Sequence, residues 1–394
     1  MVRLDTTTLA REEIEKIREL ALRAVSPIKP ASKAQLMEAN WWRAERTKAG
    51  RDLPHYYLVY FLLIELLRFP HVGQGEKIAW SIPIEFEGTV YFIEYRKFGL
   101  GVFCQIEDLK EAQAKRIVSL ISKGVKVADP FFRSLANGAV QRSHINVKNN
   151  SARLFWRYEY LRDKFRELLA AAIAHKGEVE TETKPGGSKS YSFPARRLIQ
   201  EARWIGIAAV DAFFAWTEHI FIHMAIIQSR VKTGEEVSDL IDADWASKFK
   251  QALDIAEKDS KLFYDSLGTL RRQIRNYMAH GSFGKQGEAF KFHSGTGAVP
   301  VMLNDAEGAS RFSLTGEPEF DEEAAISTIE EFIAHLWSGD RYAAWLYIQD
   351  ASLPMILTYA SDGTYENAMK SSEDMEGFID GLIRAFDDAG NMDW

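Results

Sequence analysis

Apolar residues recur with two different spacings along the first 150 positions of the chain. Where they return every three or four positions, the spacing predicts amphipathic helices. Such helices are expected at 9–25, 33–48, 56–69 and 109–123. Shorter β-favouring runs, separated by brief turn segments, predict an antiparallel meander. These runs are 78–86, 90–95 and 101–105. The pattern therefore predicts an α+β domain over residues 1–150.

From residue 151 onward helical spacing dominates, which predicts a helical bundle over 151–345. Its helices are expected at 153–175, 195–231, 245–256, 260–280 and 322–337. The polar stretch 176–194 is predicted to be a mobile linker loop. Further β-favouring runs predict a small β insertion over 285–318. The expected fold class is mostly α: a helical bundle with a small β insertion, preceded by an α+β domain.

The last segment, 346–394, is predicted to be an acidic helical tail. Residues 362–394 hold nine acidic residues against two basic ones, a difference of −7 that equals the net charge of the whole chain. The acidic total is therefore weak evidence against nucleic-acid binding by the rest of the chain. Apolar residues at helical spacing predict an amphipathic helix that packs on its own domain or on a partner. They are Met375, Phe378, Ile379, Leu382, Ile383 and Phe386.

Composition is that of an ordinary globular protein, with 46% hydrophobic and 27% charged residues. Its single cysteine, Cys104, excludes an internal disulfide and a multi-cysteine zinc site, and its place at the end of an apolar strand predicts a core position. The longest apolar run, 56–69, is interrupted by Glu65 and is too short to span a bilayer. No signal-peptide pattern opens the chain. We therefore expect a cytoplasmic protein without membrane association.

The segment 270–281, LRRQIRNYMAHG, combines a helical pattern with positive charge. Gly281 predicts the helix end, because glycine accepts the left-handed conformation found there. His280 is thus expected at the helix C-terminus, where the helix dipole favours the imidazolium form. Three arginines on the preceding turns add positive charge; they are Arg271, Arg272 and Arg275. A titratable histidine in an anion-attracting setting is what phosphoryl chemistry at neutral pH requires.

This segment resembles the signature of the HEPN (higher eukaryotes and prokaryotes nucleotide-binding) superfamily. Ribonucleases of that family carry an arginine, a polar residue, three further residues and a histidine near the end of a helix. Arg275, Asn276 and His280 match those positions. The resemblance extends over about residues 153–340.

The resemblance implies a metal-independent endoribonuclease that needs no cofactor, of the kind common among toxins and antiviral abortive-infection effectors. It implies RNA as the partner and a homodimer whose two motif helices build a composite active site. HEPN toxins that a nucleotidyltransferase silences carry a tyrosine two residues after the motif histidine, where this chain has Ser282. That mode of control is therefore not expected, and a regulatory partner protein of another kind is compatible with the resemblance.

In such a site the ribose 2′-hydroxyl attacks the adjacent phosphate, so no metal is needed to supply the nucleophile. His280 would act as general acid or base, and Arg275 would bind the phosphate as it gains charge. Asn276, four residues before His280 and on the same helical face, would orient the imidazole or the phosphate. Arg271 and Arg272 would add phosphate contacts. The expected products carry a 2′,3′-cyclic phosphate or its hydrolysis product.

Two carboxylates on the predicted helix 195–231 are candidates for supporting these arginines. Asp211 and Glu218 lie seven residues apart and so share one helical face. A carboxylate on an apolar helix costs free energy to bury unless it has a partner. Bundles of the HEPN family commonly carry acidic residues on such a helix, near the Arg–His helix. Glu218, with Asp211 beside it, is therefore expected to face residues 271–275, either as a supporting acid or as a structural ion pair.

Two other functional classes stay open. One is a non-catalytic HEPN-like bundle that binds RNA, a nucleotide or a protein. The other is a metal enzyme built on Glu218, His219 and His223, although the His-Glu-x-x-His order is absent. On the predicted strands, Glu85 and Glu94 are interpreted as surface charge. No dinucleotide-binding, phosphate-loop or nucleophile-elbow motif occurs in the sequence.

Overall fold

The computed structural model describes residues 9–38, 44–105, 110–280, 291–292, 301–302, 304–305, 312–313 and 321–392. Side chains at positions 36, 38, 110, 276, 277, 279 and 280, and those of the short strands between residues 291 and 313, lie outside this description. The chain is 65% helical with a five-stranded antiparallel sheet near the N-terminus, which confirms the predicted fold class. The chain divides into two compact units: unit 1 comprises residues 1–144 and 379–394, and unit 2 comprises residues 145–378.

Unit 1 combines helices with the sheet. Its helices are α1 (Arg11–Val25), α2 (Lys33–Glu38), α3 (Tyr56–Tyr60, continued by a π-helical turn, Phe61–Leu66), α4 (Lys110–Val127) and α5 (Asp129–Gln141). Its strands are β1 (Lys29–Pro30), β2 (Glu45–Arg46), β3 (Ile78–Phe86), β4 (Thr89–Arg96) and β5 (Gly99–Cys104). The sheet order is β1-β3-β4-β5-β2, and every neighbouring pair is antiparallel. The consecutive strands β3, β4 and β5 form the predicted meander.

The predicted helix over 33–48 is wrong at its end, because β2 forms an edge strand there instead. β2 pairs with β5, and the guanidinium of Arg46 donates hydrogen bonds to the carbonyl oxygens of Phe98 and Leu100. Backbone pairing and this side-chain contact join residues more than fifty positions apart. They outweigh a helical spacing, since local propensity is a weak signal compared with tertiary contacts.

The sheet of unit 1 is largely buried, including two carboxylates. Cys104 is 1% exposed and belongs to the core, as predicted. Glu85 and Glu94 are buried as well, so their interpretation as surface charge is wrong. Glu94 accepts a hydrogen bond from Nε of Arg96 at 2.6 Å, and Glu85 pairs with Nζ of Lys29 at 2.6 Å. Each carboxylate thus has the cationic partner that burial requires.

Unit 2 is a helical bundle. Its helices are α6 (Ser151–Ala174), α7 (Pro194–Ile227), α8 (Gly234–Asp242), α9 (Trp245–Ala252), α10 (Lys258–His280), α11 (Glu322–Leu336), α12 (Arg341–Trp345, continued by a π-helical turn, Leu346–Asp350), α13 (Leu357–Ser361) and α14 (Thr364–Ala368). α15 (Ser372–Asn391) begins in unit 2 and ends in unit 1. The short strands pair as β6 (Asn146–Val147) with β13 (Met355–Ile356), β7 (Glu180–Thr183) with β8 (Lys189–Ser192), β9 (Lys291–Phe292) with β10 (Val301–Met302), and β11 (Asn304–Asp305) with β12 (Phe312–Ser313). Strands β9 to β12 belong to the predicted insertion 285–318, whose other residues lie outside the described ranges.

The segment 176–194 is predicted as a mobile loop, and the structure shows an exposed β-hairpin instead. β7 and β8 pair antiparallel over four residue pairs, among them Thr181 with Tyr191. The turn between them contains Gly186 and Gly187, with φ of 105° and 84°. Glycine adopts positive φ at little steric cost, so this turn can close, and the flanking threonine and tyrosine favour strands.

α7 is the central helix of unit 2, and most of its side chains between residues 212 and 227 are buried. The ring of Phe332, on α11, lies against four others at centroid distances of 5.6 to 6.3 Å. These are Phe213, Phe221, Phe249 and Phe263. Phe332 therefore ties α11 to α7, α9 and α10. Among the described residues, α7 is the one helix long and apolar enough to cross a membrane, and 67% of its most apolar stretch is buried inside the protein, as in a core helix.

Within unit 2, the segment that follows α12 packs around a tyrosine cluster. Tyr347 and Tyr365 are fully buried with their hydroxyl oxygens 3.2 Å apart, and Phe378 of α15 stacks on Tyr347. The predicted amphipathic helix is confirmed as α15. Its buried apolar residues are Met375, Ile379 and Leu382. α15 therefore packs on its own chain, with its acidic residues outside.

Candidate functional site

α10 carries the motif found in the sequence, and His280 is its last residue. The apolar face of α10 is buried against the bundle, so Arg272 and Arg275 on the other face are exposed. The buried residues of that face are Leu267, Leu270 and Ile274. The backbone of Asn276 and His280 is helical, and their side chains lie outside the described part of the chain. The geometry of the site is therefore defined by its arginines.

A cleft of about 500 Å³ lies beside α10, between it and the start of α9. Arg271, Arg272 and Arg275, here called the arginine stripe, line one wall at three- and four-residue spacing. Asp244 and Trp245 line the facing wall. Three guanidinium groups along one wall attract anions, because each stays charged at any physiological pH.

Glu218 of α7 lies between two cations. Its Oε1 accepts a hydrogen bond from Nη2 of Arg271 at 2.7 Å, and its Oε2 lies 3.4 Å from Nζ of Lys248 on α9. The expected contact between Glu218 and the arginine stripe is therefore present. Asp211 is exposed and makes no ion pair with any residue in the described ranges. Seven residues separate the two carboxylates by about 10 Å along the helix, so one shared face does not bring both to α10.

Arg272 and Arg275 form no ion pair with a carboxylate in the part of the chain that the structure describes. Nη2 of Arg272 donates to the hydroxyl of Thr269 at 3.3 Å. Arg275 is exposed at the end of the cleft nearest to His280 in sequence. Exposed guanidinium groups without a carboxylate partner are free to make bidentate contacts with a phosphate.

The two acidic residues that line the cleft are engaged elsewhere. Asp244 caps α9 by accepting a hydrogen bond from the backbone N–H of Ser247 at 2.7 Å. This hydrogen bond, and then the charge of Arg271, lowers the pKa of Asp244. Asp265 accepts a hydrogen bond from Nζ of Lys261 at 2.6 Å. Neither carboxylate pairs with Arg272 or Arg275, so the stripe keeps its positive potential.

Two aromatic residues fix α9 beside α10. Trp245 is 2% exposed, its Nε1 donates to the hydroxyl of Thr217 at 3.0 Å, and its ring stacks on Tyr264. Sequence reasoning missed this wall, together with Lys248. Two features of the sequence could have indicated this wall: Asp244, which caps α9, and a lysine placed among the apolar residues of that helix.

His219 and His223 lie together on α7 with ring centroids 4.1 Å apart. Nδ1–H of His223 donates to the carbonyl oxygen of His219 at 2.9 Å, and burial lowers the pKa of His223 to about 4. Nε2 of His219 accepts a hydrogen bond from the backbone N–H of Asn150 at 2.9 Å. Burial, followed by the nearby His223, lowers the pKa of His219 to about 3. Both rings are therefore neutral at neutral pH.

The metal alternative requires Glu218, His219 and His223 to face one ion. Glu218 instead pairs with cations, and the imidazoles hydrogen-bond to backbone atoms. Within the described ranges, no three His, Cys, Asp or Glu side chains gather in a way that could hold a metal. The structure therefore offers this alternative no ligand set in that part of the chain.

We expect acid to destabilise unit 2 through His223, which is 1% exposed. An unfolded histidine binds a proton near pH 6.5 and this folded one near about 4, so its stabilisation is present above pH 6.5 and is lost as the pH falls toward 4. The loss is on the order of 2 kcal/mol at about pH 5. Urea unfolding across this pH range measures it. His223→Phe should lose less free energy of unfolding in acid than the wild type does. The control His175→Phe, at an exposed ring, should lose as much as the wild type. An unchanged loss in His223→Phe would contradict the assignment.

The fold and the cleft together define a mostly helical protein with an arginine-lined, anion-attracting site. The chain matches no protein-family model, no curated protein and no solved structure. Its function is therefore argued from the cleft and from the motif on α10.

Proposed function

We propose that this protein is a metal-independent endoribonuclease of the HEPN type, acting in the cytoplasm as a toxin or antiviral defence effector. The observation that carries the proposal is the cleft, whose arginine stripe lies on the same helix that ends at His280. Three guanidinium groups along one wall suit the phosphates of RNA. Arg275 and His280 are separated by about 7.5 Å along the helix axis, near enough to act on one phosphodiester.

The proposed reaction transfers the scissile phosphorus from a 5′-oxygen to the neighbouring 2′-oxygen. A base removes the proton of the 2′-hydroxyl, the 2′-oxygen bonds to phosphorus, and the 5′-oxygen leaves with a proton from an acid. His280 performs one of these proton transfers. Arg275 binds the non-bridging oxygens as their charge grows, and Asn276 orients the imidazole or the phosphate. The product is a 2′,3′-cyclic phosphate.

A homodimer completes this proposal. The motif occurs once in the chain, and the reaction needs both an acid and a base. A second chain whose α10 faced the first would supply a second His280 for the other transfer. The resemblance to HEPN ribonucleases implies this arrangement, and a regulatory partner protein would act by blocking it.

A module that binds RNA, a nucleotide or a protein without cutting is the second candidate. The arginine stripe suffices to hold phosphates, and Glu218 gives Arg271 a structural partner that needs no chemistry. The two candidates differ in whether bound RNA is cut.

Cleavage of a labelled mixed-sequence RNA in excess EDTA tests the proposal. We expect the protein to cut this RNA and leave 2′,3′-cyclic phosphate ends, because the nucleophile is part of the substrate. A 2′-O-methyl strand of the same sequence is the matched control and should stay intact. Cutting that EDTA abolishes would contradict the metal-independent mechanism. Binding without cutting would favour the second candidate.

A further inference from the structure

Lys248 lies on α9, behind the cleft, and its side chain is buried. We infer that Lys248 tunes the cleft by its charge: it offsets the charge of Glu218, so that Arg271 is not neutralised, and thereby sets how strongly the cleft holds a phosphate. The inference rests on the proposed function, because it concerns the same cleft and an RNA phosphate as its ligand.

The burial of Lys248 calls for a physical reason. The residue is 5% exposed and shares α9 with the buried residues Trp245 and Phe249. Lysine is almost never so buried unless its ammonium group has a partner, because removing the charge from water is costly. In the described part of the chain its ion-pair partner is Glu218, whose side chain is 37% exposed to solvent and also contacts Arg271. The buried ammonium group therefore pairs with the same carboxylate that contacts Arg271 at the cleft.

Glu218 shares its single negative charge between two cations. One carboxylate oxygen contacts Lys248 and the other contacts Arg271. This triad has a net charge of +1, so the carboxylate orients Arg271 without neutralising it. Arg271 uses Nη2 for Glu218, and its other N–H groups stay available as donors at the cleft wall.

Without Lys248, Glu218 would face Arg271 alone, and their charges would cancel. The arginine stripe, counted together with Glu218 and residue 248, would then carry a net charge of +2 instead of +3. Because the charges are partly exposed and salt screens them, one charge changes the affinity of the cleft for an anion by about threefold. Asp244 also influences Arg271, but its carboxylate is held by Ser247 and does not change in this comparison.

A charge cycle tests the inference. Four proteins are compared: the wild type, Lys248→Met, Glu218→Gln, and the double variant. The probe is a fluorescein-labelled 2′-O-methyl RNA of mixed sequence, which cannot be cut, and its dissociation constant is measured by fluorescence anisotropy at two salt concentrations. Lys164→Met, at a partly exposed lysine of α6, is the matched control for removing one positive charge from unit 2. Circular dichroism confirms that each variant is folded.

We expect Lys248→Met to bind the probe about threefold more weakly and Glu218→Gln about threefold more tightly. The double variant should return to near the wild-type affinity, and Lys164→Met should match the wild type. A purely structural lysine would lower stability without changing the affinity of the folded fraction. Wild-type affinity in a folded Lys248→Met would therefore overturn the inference. If Lys248→Met does not fold, Lys248→Gln takes its place: unchanged affinity overturns the inference and weaker binding supports it.

The proposed function fails at the binding step if RNA is not the ligand of the cleft, and that failure gives a different result. In that case the wild type itself does not bind the probe, and Arg275→Ala behaves as the wild type does. The inference about Lys248 fails alone if the wild type binds, Arg275→Ala binds more weakly, and Lys248→Met binds as the wild type.

Discussion

Replacing Arg275 or His280 with alanine lowers RNA cleavage at least about a hundredfold if the proposed mechanism holds. His280→Ala removes the group that transfers a proton, and Arg275→Ala removes the charge that stabilises the phosphate in the transition state. Arg275→Lys keeps the charge but loses the planar fork, so its activity should fall between those of the wild type and the alanine variant. Single-turnover cleavage of a labelled RNA measures these losses.

The stability of both alanine variants separates chemistry from structure. Arg275 is exposed, so we expect Arg275→Ala to change the free energy of unfolding by less than about 0.5 kcal/mol. Arg157→Ala, at an exposed arginine of α6, is the control and should cut RNA as the wild type does. Large losses of stability in both motif variants would show that Arg275 and His280 hold the helix end, and would sink their assignment as catalytic residues.

Phe332→Ala is expected to cost unit 2 about 3–5 kcal/mol of folding free energy. The ring is fully buried among four other phenylalanines, and removing it leaves a cavity between α11 and the helices that carry the cleft. Urea unfolding measures the loss. Phe386→Ala, at a ring that is 40% exposed on α15, is the matched control and should cost far less. Equal losses in the two variants would show that Phe332 is not the packing centre of the bundle.

The regular elements were predictable where one local pattern determines them. β3, β4 and β5 follow β-favouring runs broken by turn residues, and the two positive-φ residues Glu87 and Gly88 close the first hairpin. α10 follows from its apolar spacing. The strand β2 was not predictable, because its pairing with β5 depends on residues far away in sequence.

The site was predictable in part, for a related reason. Glu218 could be paired with the arginines because a carboxylate on an apolar helix needs a cation. The same reasoning suggested Asp211, which is exposed instead. Spacing places two residues on one face of a helix, but it does not determine where along that face another helix packs. Lys248 and Trp245 were missed because α9 is short, and its position beside α10 depends on packing that no local pattern encodes.

The division of the chain into units has a consequence for its synthesis. Unit 2 is one continuous stretch, whereas unit 1 needs both residues 1–144 and residues 379–394. A ribosome adding about 5–20 residues per second delivers the second piece of unit 1 roughly 10–50 s after the first. During that interval the N-terminal piece lacks its last segment, while all of unit 2 is being made. The nascent chain therefore has every residue of the arginine-lined cleft before it has every residue of unit 1.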